Sequence, residues 1–409
     1  MPHAFGENGT RLTGLAPAAV GRGGPFDPEC MSYNSDSLAI RTDRMPQATA
    51  DQLRAHLAEF IVPHTGAPLG GGGTAFEISE DPEGFRVSVT LGFPAARSKT
   101  ALADALQQHC AAMSLPRGVR FSVVSKIESH AVQHGLKPLS GVSNLVAVAS
   151  GKGGVGKSTV AVNLSVALAQ EGARVGLLDA DIYGPSQPRM LGLAGQRPET
   201  KDGKTLEPLP AHGIHAMSIG FLVDERQPMA WRGPMVTSAL TQLLSDTRWR
   251  DLDYLIIDMP PGTGDIQLTL SQRVPVSGAI IVTTPQEVAL ADARKGLAMF
   301  QKVSVPILGI IENMSTHICS SCGHEEAIFG RSGGERLAGE YGVPLLGTLP
   351  LNALIHEHSD RGIPSVAAEP DGDLAQRYRE IALRAAGALA AASKDYSRLF
   401  PKITVEDSG

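Results

Sequence analysis

The chain has 409 residues, 42% of them hydrophobic, and a formal net charge of −6, which predicts one large core plus a smaller one. The acidic balance leaves no footprint for nucleic acid or an anionic membrane, and no apolar run approaches the roughly 20 residues that span a bilayer. With no basic-then-apolar leader and only four cysteines, too few for a disulfide framework, a reducing cytoplasmic setting is expected.

Residues 1–46 are rich in Gly, Pro, Ser and Asn without a sustained period, and read as a flexible tail. The duller alternative is a misassigned start, with translation beginning at Met45. Glu7, Asp27, Glu29 and Asp36 break the acid-poor pattern of a transit peptide. A small α+β unit is expected over 47–130. Ala50–Ile61 has helical spacing, with Leu53, Leu57 and Phe60 on one face. Gly70–Gly73 is a loop, and Phe85–Leu91 alternates like a half-buried strand. Lys99–Met113 is again helical, and Val119–Val124 reads as another strand. Residues 131–143 form a linker punctuated by Gly135, Pro138 and Gly141.

From residue 144 to 395 strands and helices alternate. Leu145–Ala149, Val175–Leu178, Tyr254–Ile257, Ala279–Val282 and Ile307–Ile311 are short apolar runs bounded by turns or charges. Buried parallel strands have this pattern, so the class is α/β with a mostly parallel, doubly wound sheet. Asp371–Ala392 reads as a closing helix, and 396–409 as a polar tail.

The chemistry starts at Gly151-Lys152-Gly153-Gly154-Val155-Gly156-Lys157-Ser158-Thr159, which completes the phosphate-loop pattern GxxxxGK[ST] between a strand and a helix. Its glycines let backbone N–H groups turn around phosphate oxygens. Lys157 reaches the β- and γ-phosphates of such a nucleotide, and the Ser158 hydroxyl ligates Mg²⁺. Lys152, in the variable stretch, is unusual and hints at a partner subunit. Asp258 ends the run Leu255-Ile256-Ile257 and is the natural Walker-B residue for Mg²⁺. Asp179 or Asp181, the latter by preference, could orient an attacking water, and Asp181 is also a candidate at the Mg²⁺; Asp179 or Asp258 could instead merely cap a turn. Pro260-Pro261-Gly262-Thr263-Gly264-Asp265 pairs stiff prolines with permissive glycines, as a γ-phosphate switch would.

Cys319-Ser320-Ser321-Cys322 supplies two soft thiolates whose spacing suits Zn²⁺ or an iron–sulfur cluster. Such sites want four ligands, while Cys30 and Cys110 are isolated. Two copies across a two-fold axis would complete the set; a Cys₂His₂ zinc site using His317 and His324 competes, and a redox or inert pair is also open. Asn313, after the strand ending at Ile311, could bond an adenine edge or cap a turn.

With these segments, LLDADIYGPS and DMPPGTGD included, the chain closely resembles the Mrp/ApbC family of iron–sulfur cluster carrier ATPases. They belong to the deviant-Walker-A P-loop NTPases, with MinD, ParA and the nitrogenase iron protein. The resemblance covers about residues 145–395. Residues 47–130 are more loosely similar to the iron–sulfur-assembly domain that precedes the ATPase in many members. The resemblance implies an ATP-hydrolysing homodimer that binds a [4Fe-4S] cluster between subunits and passes it from a donor to apo-proteins. Lys152 matches the signature lysine that contacts phosphates held by the opposite subunit. Asp181 matches the position associated with hydrolysis, Asp258 the Walker-B acid and Asn313 the adenine contact. Cys319 and Cys322 match the bridging cysteines, although Ser320 stands where proline is common. The rivals are a positioning ATPase of the MinD/ParA kind and a zinc-stabilised, nucleotide-switched adaptor. The first wants a basic amphipathic tail or a basic surface, whereas the chain ends acidic.

Overall fold

Helix α1 (Ala50–Leu57) begins with a capping box, in which Thr49 Oγ1 accepts the Gln52 N–H and Gln52 Oε1 accepts the Thr49 N–H. The computed structural model describes residues 49–392, apart from 114, 116–117, 224–232 and 320, together with Lys394. The expected tails at 1–46 and 396–409, and Ser320, lie outside those residues. α1 buries Leu53 and Leu57 and stops short of the predicted Ile61, because Pro63 excludes helical geometry at Val62 and the chain turns before it. Strands β1 (Thr74–Asp81) and β2 (Gly84–Leu91) form an antiparallel hairpin, helix α2 (Lys99–His109) follows, and β3 (Val119–Ser125) lies parallel to β2. The helix ends earlier than the spacing predicts, in a 3₁₀ turn at Cys110–Ala112.

The larger α/β part runs β4 (Val142–Ala149), α3 (Lys157–Gln170), β5 (Val175–Asp179), α4 (Gln187–Met190), β6 (Leu209–Ala211), β7 (Ile214–Ser218), α5 (Gly233–Asp246), β8 (Leu252–Asp258) and α6 (Asp265–Arg273). It continues with β9 (Gly278–Thr283), α7 (Glu287–Lys302), β10 (Ile307–Glu312), the two-residue strands β11 (His317–Ile318) and β12 (Glu325–Glu326), α8 (Gly333–Tyr341), β13 (Leu345–Thr348), α9 (Ala353–Asp360), α10 (Ser365–Ala368) and α11 (Asp373–Ala390). Eight strands make one sheet in the order β13-β10-β9-β4-β8-β5-β7-β6, parallel throughout except for the β6–β7 pair. β4 sits inside that order with β9 on one side and β8 on the other. Its carboxyl end is therefore flanked by two strand ends where the winding reverses, the place at which open α/β sheets bind ligands. β5, β8 and β9 are buried almost residue for residue, as strands covered on both faces must be.

The described residues fall in one compact unit, and the seam inside it is built from specific contacts. The backbone N–H of Ala96 donates to the Glu171 carbonyl, and that of Arg97 donates to Glu171 Oε2, both at 3.0 Å. Glu171, just past the end of α3, has a fully buried side chain whose Oε1 lies 3.4 Å from Arg379 Nε on α11. Gly73, at φ +78°, packs so tightly on Ala390 that an added Cβ would lie 2.5 Å from that residue's backbone. The stretch expected as a linker is packed as well: Asn144 Oδ1 accepts the His130 N–H at 3.0 Å, and Gln133 bonds Ser271, Val274 and Val276.

Candidate nucleotide and metal sites

The loop between β4 and α3 takes the shape its residues call for. Gly156 stands at φ +80° as the cap of α3, a region open to glycine at no steric cost. A side chain there would also run into the Asn313 amide. Val155 is buried and its carbonyl accepts Asn313 Nδ2 at 2.8 Å, so Asn313 anchors the loop from the end of β10. Ser150 Oγ donates to the Lys152 carbonyl at 2.9 Å. Gly153 and Gly154 are exposed, while Gly151, Lys152, Ser158 and Thr159 are half-buried. Among the described residues, Lys152 has no carboxylate within ion-pair distance.

Lys157 is buried, and its ammonium is hydrogen-bonded to Asp258 Oδ1 and lies 3.2 Å from Ser158 Oγ. The carboxylate and hydroxyl read as Mg²⁺ ligands thus already surround one cation, the chain's own. The donor set is two hard oxygens, which fits that ion.

Asp179 and Asp181, equivalent on the page of the sequence, are separated by the fold. Asp179 is fully buried and accepts three bonds, from the N–H groups of Asp181 and Gln187 and from Ser218 Oγ, each at 3.1 Å. Burial, with the nearby Asp258 charge adding to it, pushes its carboxyl well above the usual range. Its lone pairs are committed to shaping the loop. Asp181 is half-buried, holds the turn through the Gly184 N–H at 3.3 Å, and is raised mainly by burial. Of the two, it is the one partly open to solvent. The segment 258–265 is tied to β4 by Met259 N–H to the Val148 carbonyl and Gly262 N–H to the Ser150 carbonyl, both at 3.0 Å.

Cys319 and Cys322 cap the hairpin of β11 and β12, registered by His317 opposite Glu326 and Ile318 opposite Glu325. Cys319 N–H donates to the His324 carbonyl and Gly323 N–H to the Cys319 carbonyl, both at 2.9 Å. The backbone N–H groups of Ser321 and Cys322 point at the Cys319 sulfur and draw its thiol below the usual range. Both cysteines are free, Cys322 is exposed, and Cys110 is buried in the 3₁₀ turn after α2. Among the described residues no three His, Cys, Asp or Glu side chains converge to hold a metal ion. His317 and His324 therefore do not complete a four-ligand set around the two sulfurs within one chain.

Residues 141–386 match the sequence profile of the ParA family described as NUBPL iron-transfer P-loop NTPase. The chain belongs to that family. A protein named iron-sulfur cluster carrier protein from Pseudomonas fragi is 59% identical over 258 residues, 63% of this chain and 90% of that one. One of the same name from Haemophilus influenzae is 47% identical over 345 residues, 83% of this chain and 92% of its own, a span too long for the NTPase part alone. The mouse iron-sulfur cluster transfer protein NUBPL is 52% identical over 248 residues, 60% of this chain and 77% of that one. Among solved structures, a nucleotide-binding protein in complex with ADP from Archaeoglobus fulgidus superposes with a TM-score of 0.51 at 37% identity, over 58% of this chain and 92% of that one.

Two residues of this P-loop NTPase escaped sequence reading. Gln187 bonds Asp258 and Ser158 from the loop after β5, and Ser218 comes to Asp179 from β7. Neither lies in a motif, and only the adjacency of β7, β5 and β8 brings them in. Glu312, the buried end of β10, accepts the Gly334 N–H at the start of α8 and secures the segment leading to the hairpin.

Proposed function

We propose that this chain hydrolyses ATP and carries a [4Fe-4S] cluster, bound at a homodimer interface, from a cluster donor to apo iron–sulfur proteins in the cytoplasm. The observation that carries this reading is the Cys319–Cys322 hairpin. It presents two preorganised sulfurs, one already biased toward thiolate, on a segment whose other end, Asn313, grips the phosphate loop. Two sulfurs make half of a four-ligand site, and a second copy supplies the rest. The exposed apolar side chains support the same face as the dimer contact. Tyr183, Leu222, Val288, Ile328 and Leu354 are 39–68% exposed, and all lie on segments that leave the carboxyl ends of sheet strands. Brought together on one face, such side chains would form an association surface.

In this reading ATP lies over residues 151–159 with its adenine toward Asn313. Lys157 exchanges Asp258 for the β- and γ-phosphates. Ser158 and Asp258 would hold Mg²⁺, which would neutralise charge on the transferring phosphoryl group. Asp181 orients the attacking water. Lys152, without a partner in its own chain among the described residues, reaches phosphates of the opposite subunit and stabilises charge there as an arginine finger does. Segments 179–186 and 258–265 respond to the γ-phosphate and so bias the interface that holds the cluster.

Anaerobic reconstitution followed by iron, sulfide and zinc analysis tests the reading. Iron and sulfide near four each per dimer are expected, as a single [4Fe-4S] cluster requires, with loss of both in Cys319→Ala and Cys322→Ala but intact nucleotide binding. Stoichiometric zinc in place of iron would turn the assignment into a zinc-stabilised adaptor.

A further inference from the structure

Gln187 opens α4, and it is bonded on three sides. Its backbone N–H donates to Asp179 Oδ2 at 3.1 Å, while its side-chain Nε2 donates to the Ser158 carbonyl at 3.0 Å and to Asp258 Oδ2 at 2.9 Å. One residue thus ties the P-loop helix, the end of β8 and the loop carrying Asp181. The amide orientation is set by its neighbours, since a carbonyl and an ionised carboxylate only accept. Gln187 is 1% exposed, and its Oε1 is buried without a hydrogen-bond partner among the described residues. A methionine would fill the same space without an orphan oxygen. Filling space therefore does not account for the amide; its two N–H bonds do.

Asp258 uses its two oxygens differently. Lys157 faces Oδ1 and Gln187 holds Oδ2. Once Lys157 turns to nucleotide phosphates, the Asp258 carboxylate would be free to hold Mg²⁺, and its direction depends on the bond at Oδ2. Resting on the reading of Ser158 and Asp258 as the magnesium end of the ATP site, we propose that Gln187 is a positioning residue for magnesium–nucleotide binding. It touches neither ion nor nucleotide and acts through Asp258, in the way outer-shell partners aim metal ligands. Through Asp179 it also fixes the Asp181 loop against the same carboxylate.

The test is binding of a fluorescent ATP analogue to the full chain, with Mg²⁺ and with EDTA, for wild type, Gln187→Met, Gln187→Glu and Asp258→Asn. Methionine keeps length but has no donor; glutamate keeps shape, loses the donors and sets a negative charge beside Asp258. The magnesium-dependent gain in affinity should fall about 10- to 100-fold in Gln187→Met and further in Gln187→Glu, with affinity in EDTA at the wild-type value. An undiminished magnesium gain in both Gln187 variants, with the gain lost in Asp258→Asn, overturns the role of Gln187 alone. Equal loss with Mg²⁺ and with EDTA in both Gln187 variants also overturns it, since the loop would then have lost its structure rather than its aim. A wild-type chain whose affinity ignores Mg²⁺ removes the magnesium reading itself, and the proposal with it.

Discussion

Each end of α3 meets a buried charge pair, and the two pairs serve opposite purposes. At the amino end Lys157 is held by Asp258, both nearly inaccessible to solvent, on the edge of the sheet where glycine loops and exposed apolar residues gather. At the carboxyl end the fully buried Glu171 faces Arg379 and takes a backbone N–H from Arg97, on a seam closed by glycines and α11. Removing one partner of a buried pair is costly, yet the pair itself adds little net stability. The first pair can therefore yield to a nucleotide that offers the lysine phosphates and the carboxylate a metal ion. The second has no such substitute and acts as a fixed join. A single rigid helix connects a site made to exchange partners with one made to keep them.

Breaking the exchangeable end gives the largest expected effect. Lys157→Met should lower ATP turnover at least about a hundredfold, the scale for losing one preorganised charge contact in a phosphoryl-transfer site. With Asp258 left uncompensated beside Asp179, the nucleotide-free protein should also lose about 3–5 kcal/mol in urea unfolding. Unchanged urea stability would show that the Lys157–Asp258 pair is not a true resting contact.

At the seam, Glu171→Ala should cost about 2–3 kcal/mol, because the Arg97 N–H loses its acceptor and the Arg379 guanidinium its counter-charge. ATP affinity should hold, and a matching drop in affinity would mean that the two ends of α3 are coupled rather than separate. Gly73→Ala should cost about 2 kcal/mol, combining a left-handed backbone with overpacking against Ala390. Limited proteolysis near residue 73 should quicken in that variant, and an unaltered cleavage rate would count against the tight join.

The smallest effect is chemical. Cys319 is drawn toward thiolate by backbone N–H groups, whereas burial pushes the Cys110 thiol up. A group with the lower pKa is deprotonated first as pH rises, so iodoacetamide should label Cys319 at a pH where Cys110 is still inert. Peptide mass spectrometry across a pH series reads this directly, and simultaneous labelling would erase the chemical contrast between the two thiols.

Much of the fold was legible because its signals are local. Apolar runs such as Leu255–Ile257 end in carboxylates, and the phosphate loop needs glycine at positions that the structure finds in left-handed or crowded geometry. β1 was not legible: Thr74–Asp81 carries three acids among eight residues, a composition that argues against a strand until β2 pairs with it. The short strands β6, β11, β12 and β13 are likewise too brief for a periodic signal. Within the site, the phosphate loop, Asp258 and the cysteine pair announce themselves by spacing. Gln187 and Ser218 do not, because their roles come from three strands lying side by side.

The sequence by itself determined the α/β class, a nucleotide loop and a closely spaced cysteine pair, since each depends on neighbours only a few residues apart. Tertiary structure alone decided that Asp179 is sealed while Asp181 is half-buried, that Lys157 rests on Asp258, and that His130 and Gln133 anchor the stretch leading into β4. Those outcomes turn on burial and on which strands become neighbours, and chain spacing carries no record of either.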